Sequence, residues 1–295
     1  MGCSRSHPQD EQSDTAFAIL LRRYRMAAGL TQEELAERAR LAARGLYHHD
    51  DPITGRAAHG PREAMMEAER PTRSDWTPGA RLLGMWSAWV VYFLGIAYGI
   101  TLVVGFSSVA SLSAPLPDPF LAGAELLIIV MAPALVLLMA AIHAYAPRGG
   151  KTLSLTALGF MILLAGLTTS VHFVELTVVR RIQPASVAGF SQLFSFHWPS
   201  VLYALDIVAW DWFLGLALLC AAPLFRGGKL ETSVRVGMIV SGTLCLAGLV
   251  GPALGDLTLR AIGIAGYAVV LPVVCLLLAL VFNVTPPASE TLQPY

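Results

Sequence analysis

Residues 82–106 read LLGMWSAWVVYFLGIAYGITLVVGF and contain no charged side chain. A helix of this length, rising about 1.5 Å per residue, crosses a hydrocarbon layer about 30 Å thick. The residues before about position 80 are instead polar and charged. The chain therefore changes at this point from a segment suited to water to one suited to a membrane.

Five further apolar runs of similar length follow the first. The six runs are Leu82–Phe106, Leu121–Ala146, Leu153–Leu176, Val201–Phe225, Val234–Leu254 and Ala261–Phe282. The chain of 295 residues is 55% hydrophobic and only 14% charged, which is more apolar surface than one soluble core can bury. We therefore predict an all-α protein built on a six-helix transmembrane bundle, with the lipid bilayer as its partner.

Basic residues are distributed unequally between the two sides of this predicted bundle. Eight lie on the side where the first run begins: Arg70, Arg73, Arg81, Arg148, Lys151, Arg226, Lys229 and Arg235. Three lie on the other side: Arg180, Arg181 and Arg260. Because loops rich in lysine and arginine stay in the cytoplasm, both termini are predicted to be cytoplasmic. Arginine outnumbers lysine eighteen to two, which is typical of a high-GC bacterial gene, so the predicted location is the bacterial cytoplasmic (inner) membrane.

The N-terminal region has a helical pattern of its own. Apolar residues recur at helical spacing over 17–24, and Gly29 is placed to end that helix. Thr31 and Glu34 form a capping box that begins a second helix. The order LLRRYRMAAGLTQEELAERA, residues 20–39, resembles the opening of the XRE family of helix-turn-helix proteins, which includes Cro and the phage repressors.

This resemblance implies a DNA-binding segment over residues 17–50. The residues it implies for DNA contact are Gln32, Ala43, Arg44 and Tyr47. The chain departs from the family's pattern at Arg40 and Ala42, where a glycine turn and a serine or threonine cap are expected. The two closing helices of the family are missing downstream. Ten basic against eleven acidic residues among the first seventy also leave no positive excess for phosphate binding.

These patterns divide the chain into five parts. We expect a disordered N-terminus over 1–16, a partial helix-turn-helix over 17–50, a linker over 51–80, the transmembrane domain over 81–284 and a cytoplasmic tail over 285–295. Met65 and Met66 are alternative starts of the protein. Residues 1–64 are then a fused or frame-shifted remnant of a neighbouring regulator, and this alternative stands beside that of a functional cytoplasmic anchor.

Ionisable side chains inside the predicted spans are few, and each acidic one near the bilayer centre costs about 2.5–3.5 kcal/mol. Five fall in the half of the bundle that faces away from the cytoplasm: Glu125, His172, Glu175, Asp206 and Asp256. Thr168, His172 and Glu175 are spaced to form one polar stripe on the third span. Asp211 falls near the midplane, roughly 140° around the helix from Asp206. The two carboxylates are therefore expected to face different neighbours, with Asp211 pointing into the bundle towards a hydroxyl, a histidine or water.

Two interpretations of these polar residues are open. The functional one is an outward-facing cavity that binds a cation, a proton or a small polar ligand, with His172, Glu175 and Asp206 as the main site residues and Asp211 and Glu125 beside them. The structural one places Glu125, Glu175 and Asp256 at the level of the lipid headgroups, and position favours it for Glu125 and Asp256. The segment 179–199 carries Phe190, Phe194, Phe196 and Trp198, and predicts an interfacial helix or a lid on this side.

No residue pattern names a reaction, so we assign no catalytic residue, no cofactor and no resident metal. The membrane part is similar to bacterial six-span membrane proteins without an assigned function. The working hypothesis is a membrane-embedded sensor or small-solute binding protein. The alternatives are a secondary or ion-coupled transporter, a membrane-anchored DNA-binding regulator, and a membrane-embedded metal hydrolase that uses His172, Glu175 and Asp206. The sequence does not define an oligomeric state.

Overall fold

A computed structural model of the chain describes Thr31 and residues 75–109 and 116–288. Residue contacts divide the chain into two units, Met1–Arg70 and Pro71–Tyr295, and the description below concerns the second. Within the described ranges every regular element is a helix. The predicted helix-turn-helix over 17–50, apart from Thr31, lies outside the described residues.

Six helical segments are long and apolar enough to cross a membrane, and we number them spans 1 to 6. They are Pro78–Ser107, Phe120–Tyr145, Arg148–Arg181, Val201–Leu224, Lys229–Leu254 and Leu257–Val284. Each predicted apolar run overlaps one span. The prediction of an all-helical, polytopic protein with six helices suited to a membrane is therefore confirmed.

The first three spans are α-helical over most of their length, and the last three are composite. Spans 1 and 2 are single α-helices, and span 3 contains the α-helix Lys151–Thr177 between the 3₁₀ turns Arg148–Gly150 and Val179–Arg181. Span 4 joins the α-helix Val201–Ile207, the π-helix Val208–Phe213, the α-helix Leu214–Ala221 and the 3₁₀ turn Ala222–Leu224. Span 5 joins the α-helices Lys229–Gly248 and Val250–Leu254. Span 6 joins the 3₁₀ turn Leu257–Arg260, the α-helix Ala261–Ile264, the π-helix Ala265–Val270 and the α-helix Leu271–Val284.

Polar residues cap several spans where they begin. The Thr77 hydroxyl accepts a hydrogen bond from the backbone N–H of Ala80 at 3.2 Å, and Pro78 follows at the first helical position. Ser200 caps span 4 in the same way, with a 3.2 Å hydrogen bond from the Tyr203 N–H. These side chains satisfy backbone donors that the helix itself leaves unpaired.

Four buried aromatic side chains close one end of the bundle, which we call the aromatic end. They are Trp76, Tyr145, Phe225 and Phe282, with ring centroids 5.0 to 5.5 Å apart in the contacting pairs. The backbone N–H of Ala288 donates to the Trp76 carbonyl at 2.9 Å. The beginning of span 1 and the end of span 6 therefore meet at the same end of the bundle, as an even number of crossings requires.

Burial ranks the spans from centre to periphery. In the most apolar window of span 4, 61% of the residues are buried, against 11% in span 1. On span 1, Trp86, Phe93 and Val103 are each at least 60% exposed. Span 4 is therefore the core of the bundle, whereas the outer face of span 1 is an apolar surface suited to lipid.

Glycines let span 5 approach its neighbours closely. A Cβ atom added at Gly242 would lie 2.8 Å from the Gly215 carbonyl of span 4. One added at Gly248 would lie 2.7 Å from the Cα of Gly263 in span 6. Side chains at these positions would push the spans apart. The Ser241 hydroxyl adds a 2.8 Å hydrogen bond to the Gly266 carbonyl.

Candidate functional site: the charged cluster

Six ionisable side chains are buried together in the half of the bundle opposite the aromatic end. We call them the charged cluster: Glu125 of span 2, His172 and Glu175 of span 3, Asp206 and Asp211 of span 4, and Arg260 of span 6. None is more than 7% exposed. Five of the six were singled out from the sequence.

His172 lies between two carboxylates. Its Nδ1 atom contacts Oε2 of Glu125, and its Nε2 atom lies 3.2 Å from Oδ1 of Asp206. The second pair is close enough for an ion pair but is not aligned as a hydrogen bond. A neutral imidazole carries one N–H and an imidazolium carries two. Both contacts are therefore favourable only when the imidazole is protonated or one of the carboxyl groups holds the proton.

Arg260 lies between the two aspartates of span 4. Its Nη2 atom is 3.6 Å from Oδ2 of Asp206, and its Nε atom is 3.6 Å from Oδ2 of Asp211. The guanidinium also donates to the Tyr203 hydroxyl and lies over that ring, with Cζ 4.5 Å from the centroid. Acidic and basic groups thus alternate from Glu125 through His172, Asp206 and Arg260 to Asp211.

The two aspartates face the same guanidinium, which differs from the α-helical expectation that they would face different neighbours. The reason is the π-helix Val208–Phe213, in which the Leu214 N–H bonds to the Ala209 carbonyl five residues back. In this wider turn, residues five apart lie close to one face. Asp211 does point into the bundle and is fully buried, and the charged side chain beside it is that of Arg260.

Arg260 itself was counted from the sequence as a loop residue outside the membrane. The structure instead buries it, because the 3₁₀ turn Leu257–Arg260 directs it into the bundle. In a sequence, an arginine directly before an apolar run looks the same whether it lies at the membrane boundary or is buried in the bundle. The only signal in the sequence was that two deep carboxylates need a cation and that Arg260 directly precedes the sixth apolar run.

Glu125 and Asp256 occupy different environments, although position alone placed both at the headgroup level. Glu125 is only 2% exposed and contacts His172. Asp256 is exposed, and its Oδ1 accepts hydrogen bonds from the backbone N–H and the hydroxyl of Thr258 at 2.9 and 2.6 Å. These hydrogen bonds lower the pKa of Asp256 below its ordinary value. Asp256 is therefore a cap of span 6 and lies outside the cluster.

The predicted polar stripe of span 3 faces the bundle interior. Thr168, His172 and Glu175 are all buried. The Thr168 hydroxyl accepts a 3.0 Å hydrogen bond from the indole N–H of Trp210 in span 4. Glu175 lies one helical turn beyond His172, and its Oε2 atom has no hydrogen-bond partner among the described residues. The stripe therefore supplies one satisfied hydroxyl and one carboxyl oxygen that is unpaired.

The segment between spans 3 and 4 contacts the charged cluster through an aromatic side chain. It contains the 3₁₀ turn Pro184–Ser186 and the short helix Phe190–Phe194. The Phe196 ring lies 5.6 Å from the His172 ring and 5.3 Å from the Tyr203 ring, measured between centroids. An aromatic side chain of the segment predicted as a lid thus lies against His172 of the cluster and against Tyr203, which contacts Arg260.

An exposed ion pair joins the loops on the same side. The Arg180 guanidinium donates to both carboxylate oxygens of Asp118, one of them at 2.9 Å. This pairing holds the pKa of Asp118 below its ordinary value. Unlike the cluster, the pair is open to solvent, which screens it.

The cluster carries more negative than positive charge. Four carboxyl groups face two cationic side chains, so full ionisation with a protonated His172 leaves a formal charge of −4 + 2 = −2. Several buried polar atoms also lack a hydrogen-bond partner among the described residues: His172 Nε2, Glu175 Oε2, Asp206 Oδ1, Asp211 Oδ1 and Oδ2, and Arg260 Nε. Buried charge without compensation is costly. The arrangement can therefore take up further positive charge.

The described residues bear on the metal-hydrolase hypothesis but not on the predicted DNA contacts. Gln32, Ala43, Arg44 and Tyr47 lie outside the described residues. Within the part of the chain that is described, no three histidine, cysteine, aspartate or glutamate side chains are placed to hold a metal ion.

Comparison of the chain with protein-family models, with curated proteins and with solved structures gives no match.

Proposed function

We propose that this protein is a membrane-embedded sensor or small-solute binding protein whose ligand, a proton or another small cation, binds at the charged cluster. The observation that carries the proposal is the excess of carboxyl groups over cationic side chains in a buried site. Each such group inside a membrane is retained against a cost of several kcal/mol. A site that gains stability by taking up positive charge is suited to detecting or binding that charge.

Proton uptake by the full-length chain in lipid nanodiscs tests this proposal. The pH is stepped from 8 to 5 in lightly buffered solution and the protons taken up per chain are counted. Because the other histidines of the chain titrate in the same window, the difference between the protein and a variant measures the contribution of the cluster. We expect both Asp206→Asn and His172→Ala to change the uptake relative to the unmodified protein, since the contacts of His172 with its two carboxylates need a shared proton. Asp256→Asn is the control, because its pKa lies below the window and its loss should change nothing.

The control and the variants together decide the outcome. If Asp206→Asn and His172→Ala take up as many protons as the unmodified protein and bind cations equally well, the cluster is a structural ion network and the proposal is wrong. Retained folding of both variants is checked by the yield of monodisperse protein in detergent.

A secondary or ion-coupled transporter is the second candidate, and the π-helices of spans 4 and 6 favour it. Both interrupt the regular helix close to the cluster: Val208–Phe213 contains Asp211, and Ala265–Val270 begins five residues after Arg260. Interrupted helices at the middle of a membrane are typical of transport sites. Proteoliposomes containing a pH-sensitive dye should then acidify or alkalinise under an imposed ammonium or potassium gradient, and Asp206→Asn should abolish the flux. A dye signal no larger than that of protein-free liposomes would mean that the protein does not transport the cation, and only the proposed binding function would remain.

The orientation is also part of the proposal. With Arg260 buried, two basic residues remain on the other side, Arg180 and Arg181. The described residues on the side of the aromatic end include six: Arg81, Arg148, Lys151, Arg226, Lys229 and Arg235. This asymmetry supports cytoplasmic termini in the bacterial inner membrane. Reporters fused after Arg148 and after Arg226 should be cytoplasmic, and one fused after Arg181 should be external. A cytoplasmic reporter after Arg181 would overturn the orientation.

The other two hypotheses receive less support. A DNA-binding regulator depends on residues 17–50, so it rests on the partial XRE resemblance alone. A metal hydrolase needs His172 as a metal ligand, but both ring nitrogens of His172 already face carboxylates. A metal would have to displace Glu125 or Asp206 from that ring.

A further inference from the structure

A small cavity lies beside the charged cluster, between spans 1, 2, 4 and 6. Its lining includes Tyr98, Met131, Asp206, Trp210, Tyr267 and Ala268. About 30 Å³ is open to the centres of water-sized molecules, which is room for roughly two waters. The cavity is therefore large enough for a small ion.

Asp206 connects the cavity to the cluster. It is the only acidic or basic side chain among the described residues that line the cavity, and it is 5% exposed. Its Oδ1 atom has no hydrogen-bond partner among the described residues. That atom faces Nε2 of His172 at 3.2 Å, so Asp206 joins the cavity wall to the charged cluster, whose excess of carboxyl groups attracts a cation.

The rest of the wall is aromatic and apolar. The rings of Trp210 and Tyr267 lie 5.3 Å apart between centroids, and Tyr98 lines the cavity as well. Aromatic faces carry negative potential and attract ammonium groups and other cations. A wall of one carboxylate and three aromatic side chains therefore suits a cation that gives up its water easily.

We propose that this cavity binds a weakly hydrated monovalent cation of the size of ammonium, methylammonium or potassium, with Asp206 as its counter-ion. This inference rests on the proposed function, because it assigns the cation of the charged cluster to a place and a chemical class. A single positive charge suits this wall, because its one carboxylate is already shared with His172 and Arg260. Calcium and magnesium demand about six oxygen ligands, which the described lining does not offer.

Equilibrium dialysis of the full-length chain in nanodiscs tests the inference with radiolabelled rubidium and methylammonium as probes, at constant ionic strength set by N-methylglucamine chloride. Ala268→Leu fills the cavity without touching any charge, and Ala268→Ser is its matched control of nearly unchanged size. We expect Ala268→Leu to weaken binding of both probes by about tenfold or more and Ala268→Ser by less than about threefold. Asp206→Asn should abolish binding of both.

The results separate the inference from the function on which it rests. If Asp206→Asn loses the probes but Ala268→Leu binds them as tightly as the unmodified protein, the cluster binds the cation elsewhere and only the cavity assignment is wrong. If neither variant changes probe binding, or if the unmodified protein binds no probe, the cavity assignment is wrong. The proton-uptake experiment then tests the proposed function separately. A competition series on the unmodified protein needs no folded variant: ammonium and methylammonium should displace rubidium, whereas tetramethylammonium is too large. Equal displacement by tetramethylammonium would overturn the assignment.

Discussion

The aromatic end and the charged cluster are buried to the same degree, but they are built in opposite ways. At the aromatic end the Tyr145 hydroxyl donates to Oε1 of Glu231, and Oε2 of Glu231 accepts from the backbone N–H groups of Arg226 and Gly227 at 2.9 and 2.7 Å. The cluster instead contains four carboxyl groups for two cations and several polar atoms without hydrogen bonds among the described residues.

The two regions differ in how completely their polar groups are paired. A buried polar group whose hydrogen bonds are complete adds rigidity at little cost. A buried charge that is incompletely paired lowers stability and is retained where a ligand or a proton completes it. The same bundle therefore combines an end whose polar groups are paired with a buried cluster whose pairing is incomplete.

The largest effect is expected from Arg260→Met, which leaves Asp206 and Asp211 without their shared cation. Removing one partner of a buried ion pair costs about 3–5 kcal/mol. Adding Asp211→Leu to the variant should recover part of this loss, because it also removes one of the two unpaired carboxylates. Chemical unfolding in detergent micelles measures both. A loss below about 1 kcal/mol for Arg260→Met would mean that the cluster is not held together by this guanidinium.

Gly263→Ala should have the next largest effect. A Cβ atom at Gly263 would lie 2.1 Å from Oδ1 of Asp211, so the carboxylate or span 6 must move. Overpacking of this kind costs about 1–3 kcal/mol, and displacing Asp211 should weaken cation binding as well. Gly99→Ala is the control, since no atom lies within 4 Å of its added Cβ and alanine favours the helix. Equal stability of the two variants would show that Asp211 can leave its place freely.

Tyr145→Phe tests the aromatic end and should be milder. The substitution removes one hydrogen bond to Glu231 but keeps the ring and both backbone donors to that carboxylate. The expected loss is about 0.5–1.5 kcal/mol, with proton uptake and cation binding unchanged. A loss as large as that of Arg260→Met would contradict the contrast drawn between the two ends.

The smallest effect is expected from Asp118→Asn, which removes the exposed pair with Arg180. Solvent screens this pair, so its loss should cost less than about 1 kcal/mol. The pKa of Asp118 is lowered from its ordinary 3.8, so the contribution is present above that value and is lost as the pH falls through the lowered pKa. At pH 7 the free energy of unfolding should therefore differ slightly between the protein and the Asp118→Asn variant. In acid, below the lowered pKa, the two should be equally stable. A difference that grows in acid would refute the assignment.

The number, length and helical character of the spans could be predicted because they depend on local properties of the chain. An uncharged apolar run such as residues 82–106 satisfies its own backbone hydrogen bonds only as a helix when lipid surrounds it. Depth also singled out Asp206 and Asp211, since a carboxylate far from water needs a partner wherever the helices pack. The stripe of Thr168, His172 and Glu175 followed from spacing on one helix.

Only the tertiary structure decided how these groups meet. The π-helix that turns Asp206 and Asp211 towards one guanidinium, the inward direction of Arg260 and the burial of Glu125 all depend on contacts between spans. Such contacts depend on the close approach of Gly248 and Gly263 and on the volume left between spans 1, 2, 4 and 6. The hydrophobicity of a segment depends on its own residues and can be read from the sequence. The partner of a buried charge depends instead on packing among residues far apart in sequence.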